Sequence, residues 1–104
     1  CGMSEETRAA CDAIKKQLDT VTARAQEQVT EPSTAAKIYA EAATKVRAEA
    51  DKAGGDVADA ADKVAADMDS LAKTLEQAAK GTAQTPTAND LMKTSAELQE
   101  ACVG

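Results

Sequence analysis

No histidine, tryptophan or phenylalanine occurs in this 104-residue chain, and tyrosine occurs once, as Tyr39. The missing histidine removes His-based catalytic triads, the general base of neutral pKa and the imidazole metal ligand. A di-iron carboxylate bundle requires Glu-x-x-His on facing helices, so that chemistry is excluded too. Haem would find only Met3, Met68, Met92, Tyr39 and the cysteines, and methionine on an apolar seam is packing. The glycines are Gly2, the pair Gly54-Gly55 and the chain-end or capping positions Gly81 and Gly104, without a phosphate loop. Net charge is −6 and no basic cluster exceeds Lys15-Lys16, which opposes nucleic acid and anionic lipid headgroups. No apolar run approaches the ~20 residues needed to span a bilayer. The expectation is therefore no catalytic residue, no metal, no cofactor and no nucleic-acid partner.

What is abundant is alanine, 25 residues against 16 of Val, Leu, Ile and Met together. The most regular stretch runs from Asp56 to Lys80. Its seam residues are Val57, Ala61, Val64, Met68, Leu71, Leu75 and Ala78, in alternating steps of four and three, the spacing of one helical stripe. Asp56 is read as its N-cap, and Lys80-Gly81 as a cation and a glycine at its end. One such helix cannot bury its stripe alone, and the sequence supplies three partners.

The first partner is capped by Ser4, with Glu5 and Glu6 near its positive end, and has Cys11, Ile14, Leu18, Val21, Ala25 and Val29 as its seam. Pro32 stops it. The second starts from Ser33 or Thr34 and carries Ala35, Tyr39, Ala42, Val46, Ala50 and Ala53, with Ile38 flanking. Lys37, Glu41, Lys45 and Glu49 alternate in sign at spacings of four on its outer face. Gly54-Gly55 closes it, since two glycines inside a continuous rod would cost about 2 kcal/mol relative to alanine. The polar segment from Thr82 to Thr87 is a loop, and Thr87 with Asp90 forms a capping pair for a last helix with seam Leu91, Ser95, Leu98 and Cys102.

These readings give one all-α domain spanning residues 1–104, an antiparallel up-down-up-down four-helix bundle with an Ala-rich core. The helices are expected at about residues 5–30, 34–53, 56–80 and 87–102. Alanine lets helix axes approach closely, which limits the apolar area buried and leaves the core thin. Short connections place the start of the first helix beside the end of the fourth. Cys11 and Cys102 then meet on seam positions, and a disulfide between them is expected; two buried free thiols are the alternative. A redox dithiol would need its pair close in sequence at an exposed helix N-terminus, which these cysteines lack.

Cys1-Gly2-Met3-Ser4 resembles the mature N-terminus of a small bacterial lipoprotein, whose signal peptidase cuts just before a cysteine that is then lipid-modified. The resemblance implies a lipidated Cys1 and an exported, extracytoplasmic protein held at the cell membrane by that anchor alone. The other reading of Cys1 is an arbitrary start to the sequence. Alternating Ala, Asp and Lys also give a faint likeness to desiccation-protection proteins, and the size and all-helical pattern resemble a secreted helical family marked by a Trp-x-Gly turn. Tryptophan is absent here, and that family forms a two-helix hairpin.

The functional expectation is a non-enzymatic bundle binding another macromolecule at the cell surface. Its partner would contact Glu31, Pro32, Thr82, Gln84 and Pro86, grouped by topology at the end of the bundle far from Cys1. A small secreted substrate or chaperone of a secretion system is the alternative, together with a carrier of a small apolar ligand. Closely packed alanines leave such a carrier little room unless the bundle splays. Tyr39 is read as a rim residue of the core or, more sharply, as a partner-binding hot spot. Asp56, Asp59 and Asp62 are read as a solvated acidic face with, at most, weak cation binding.

Overall fold

Residues 4–27, 30–81 and 89–103 are described by the computed structural model. Among them there are four helices and no strand: α1 (Glu5–Glu27), α2 (Pro32–Ala53), α3 (Gly55–Ala79) and α4 (Asn89–Val103). The fold is an all-α four-helix bundle, as the seams require. Among the described residues each seam is turned inward; Val29, expected to extend the α1 seam, and Thr87, expected to cap the last helix, lie outside them. Ile14, Val46, Val64 and Met68 are the largest fully enclosed side chains.

The local signals that start and stop the helices are partly those expected. The Thr7 N–H donates to Ser4 Oγ at 3.2 Å, the bond that an N-cap supplies to an otherwise unpaired donor. Proline behaves differently from the expectation at residues 33 and 34. Pro32 occupies the first turn of α2, where its missing N–H would have had no partner, and Glu31 is the capping residue. Glu31 offers its backbone carbonyl to the N–H groups of Thr34 and Ala35, each at 3.1 Å, while its carboxylate accepts from Thr34 Oγ1 at 3.2 Å. Asp56 is likewise not the cap of α3. Gly54 takes that place and also ends α2, donating its N–H to the Ala50 carbonyl and accepting from the Ala58 N–H, both at 3.1 Å.

One glycine can serve both helices because its backbone is at φ 68° and ψ 174°, a region closed to residues with a Cβ. Gly54→Ala meets no neighbouring atom, so its cost is conformational. A loss of about 1–3 kcal/mol is expected, read as a lower urea midpoint at unchanged slope.

The helices do not contribute equally. α2 and α3 pack against each other along their length, α1 flanks α2 and α4 flanks α3. The central pair accordingly buries a second row beside the expected seam, Ala36 and Ala43 on α2 and Ala65 and Ala72 on α3. Polar links across the bundle are few. Arg47 meets Asp69 at 2.7 Å between α2 and α3, with both side chains nearly half exposed, a setting in which an ion pair contributes little. Thr94 Oγ1 donates to Asp67 Oδ2 at 2.8 Å between α4 and α3. The expected alternating chain on α2 does not close as drawn, because Glu49 pairs with Lys52 at 3.4 Å instead.

Candidate functional site

The fourth side of the bundle, between α1 and α4, is the open one. These two helices lack extended packing against each other. They are joined at one end, where Cys11 and Cys102 form a disulfide with a Cα–Cα distance of 6.0 Å across a sequence separation of 91 residues. That is the end at which α1 begins, since Thr7 Oγ1 donates to the Ala53 carbonyl at 3.1 Å. Alanines and the small cysteines allow close approach there.

Towards the other end the side chains grow. Leu18 and Val21 on α1, Tyr39 on α2, Leu71 and Leu75 on α3, and Leu91 and Met92 on α4 stand around an apolar groove of about 920 Å³. Ala25, Ala78 and Ala96 also line it, as does Pro32 from the start of α2. Asp19, Thr22, Gln26, Ser95 and Gln99 supply the polar lining. Met92 is 68 % exposed, the groove's most solvent-accessible large apolar side chain. The larger apolar side chains of the lining thus gather towards one end of the α1–α4 side, while the disulfide joins the two helices at the other.

Tyr39 sits half-buried in this lining. Burial raises its phenol above the ordinary value, because the phenolate loses hydration in the apolar wall. As the chain has one tyrosine and no tryptophan, absorbance at 295 nm should follow this group alone, with its midpoint above about 10. The sign of the linked stability change is fixed: the contribution is fully present below the unfolded-chain pKa and is lost as pH rises through the folded one. Urea midpoints should therefore fall more steeply above pH 10 in the wild type than in Tyr39→Phe, and equal slopes would remove this burial from the account.

Of the residues expected to meet a macromolecular partner, Glu31 is exposed and engaged as the α2 cap, and Pro32 borders the groove. Thr82, Gln84 and Pro86 lie outside the described residues, as does Cys1, the expected lipidation site. Asp56, Asp59 and Asp62 are all exposed. Among the described residues no three of His, Cys, Asp and Glu converge in a way that could hold a metal ion, and no helix is long and apolar enough to cross a membrane. Sequence reasoning allowed for the groove only as a consequence of splaying. The available signal was the concentration of Leu18, Tyr39, Leu75, Leu91 and Met92 towards one end of a chain otherwise packed with alanine.

No protein-family model, curated protein or solved structure matches this chain.

Proposed function

We propose that this chain is a non-catalytic binding protein that holds a small apolar molecule in the groove between α1 and α4. The observation that carries this reading is the groove itself. Its volume of about 920 Å³ lies within the ~300–1,000 Å³ common to small-molecule sites, and its walls are apolar with a few polar groups, the usual composition of such sites. The proposal includes an extracytoplasmic location, supported by a disulfide that an oxidising compartment would preserve. The lipid anchor at Cys1 belongs to the same proposal.

The test uses N-phenyl-1-naphthylamine, an uncharged apolar fluorophore whose emission rises on leaving water. Saturable enhancement with one site per chain is expected. Ala25→Phe combined with Ala96→Phe places two rings in the groove and should reduce the affinity at least tenfold, with the helical circular dichroism signal unchanged. Unsaturable enhancement, or equal binding by the filled variant, would overturn the reading.

A second reading is favoured by the exposed Met92, which lines the groove together with Pro32: a protein partner would cover this mouth. It keeps the expected macromolecular binding at that end of the bundle. In that case the filled variant should lose capture of the partner while the fluorophore shows no saturable site.

A further inference from the structure

We infer that the groove selects amphiphiles by charge, taking a neutral or, better, a singly cationic molecule such as an alkyl amine, whose charged end meets Asp19; this rests on the groove being a small-molecule site. The lining contains one ionisable acid, Asp19, and neither lysine nor arginine. Asp19 is exposed at the rim and has neither an ion pair nor a hydrogen bond among the described residues. Lys15, one turn earlier on the same helix, is not part of the lining and does not close on it. A carboxylate ligand would therefore bring a second negative charge to one that neither Lys15 nor Lys16, a turn earlier on α1, pairs with, on a chain whose net charge is already −6. An ammonium would find a partner there and leave its chain among Leu18, Leu71, Leu75 and Leu91. The Tyr39 hydroxyl, also without a hydrogen bond among the described residues, offers a neutral polar contact within the same groove.

The dimensions oppose a helix as the occupant. The lining on α1 runs from Leu18 to Gln26, about 12 Å at 1.5 Å per residue, or little more than two helical turns. The bundle's two shorter principal extents are 19 and 18 Å, the cross-section of four helices at the usual ~8–10 Å spacing. A fifth helix, ~10–12 Å across with its side chains, does not fit between α1 and α4 without parting them. An alkyl chain no longer than that lining lies along it without parting the helices.

Displacement of N-phenyl-1-naphthylamine by three eight-carbon probes, n-octyltrimethylammonium, 1-octanol and octanoate, tests the charge rule at low ionic strength, where screening is least. The cation should displace at about fivefold lower concentration than the alcohol, the scale of an exposed charge pair, with octanoate weakest. Asp19→Asn should abolish the cation's advantage over 1-octanol. Asp12→Asn, which removes the same charge from an exposed α1 position outside the groove, should preserve it. Octanoate displacing as well as the cation, or an advantage that survives Asp19→Asn, would overturn this inference while leaving the groove reading intact. Absence of saturable fluorophore binding to the wild type would overturn both.

Discussion

Reduction of the Cys11–Cys102 disulfide is expected to lower the melting temperature by about 15–30 °C. The bond closes a loop with a sequence separation of 91 residues, and the chain-entropy model assigns such a loop roughly 4 kcal/mol of constraint on the unfolded chain. For a domain of this size each kilocalorie moves the midpoint by about 4–8 °C. The effect is large here because the rest of the stabilisation is modest: many of the core positions are alanine, which removes little apolar area from water when buried. It is also local, since the disulfide is the main tie between α1 and α4. Cys102→Ser under oxidising conditions and the wild type in excess dithiothreitol should melt together. A non-reduced digest should yield the Cys11 and Cys102 peptides as one cross-linked species. Free, readily alkylated thiols at both positions in oxidised protein, with no change in melting on adding reductant, would contradict the pairing.

The groove makes a second reading of the same experiment informative. With α4 tethered to α1 at one end and packed on α3 through Leu91 and Leu98, the groove is a gap of defined width. Releasing the tether leaves in place the packing of α4 on α3 and the Thr94–Asp67 hydrogen bond. Loss of fluorophore affinity on reduction, at a temperature where the helical signal persists, would locate the binding site between α1 and α4 and not on the outer helix faces.

Much of the fold was legible because periodicity is a property of helix geometry alone. The α3 seam from Val57 to Leu71 is buried in full, and the steps of three and four in α1, α2 and α4 lead to Ile14, Val46 and Leu98 in the same core. Alanine marks where this legibility ends. Ala36, Ala43, Ala65 and Ala72 are buried while Ala40, Ala48, Ala66 and Ala79 are exposed, and nothing in the residue itself separates the two groups. Only tertiary position does, which is why the second packed row of the central α2–α3 pair was missed.

The helix boundaries failed for a different reason. Ser33, Thr34 and Asp56 are good capping residues by type, yet Pro32 and Gly54 act first on the backbone. Proline fixes a helical φ before Ser33 is reached, and Gly54 turns the chain within one residue, so the later side chains find their helices already begun. The groove was least legible of all. Close packing of alanines predicts a shut bundle when each pair of helices is considered separately. Closing the fourth side depends on all four at once, and it stays open where Leu18, Leu75, Leu91 and Met92 line the groove.

Met68→Ala should cost about 3 kcal/mol and Leu75→Ala only about 1 kcal/mol, although both cut an apolar side chain of similar size back to Cβ on the same helix. Met68 has no exposed surface and is among the largest fully buried side chains. The core cluster to which it belongs is rich in alanine and valine, whose short side chains have little reach to fill a vacancy. The substitution therefore loses the transfer energy of the removed atoms and leaves much of the cavity they occupied. Leu75 is half-buried against the same core but borders the groove, where water or a ligand can take the released space. Denaturant unfolding of the two variants at pH 7 gives the comparison directly, and equal losses would mean that the groove is closed in solution. Combining Met68→Ala with reduction removes about 7 kcal/mol, comparable with the ~5–15 kcal/mol that holds a typical domain together. The reduced Met68→Ala protein should accordingly be substantially unfolded at 25 °C, while reduced Leu75→Ala keeps most of its helical signal.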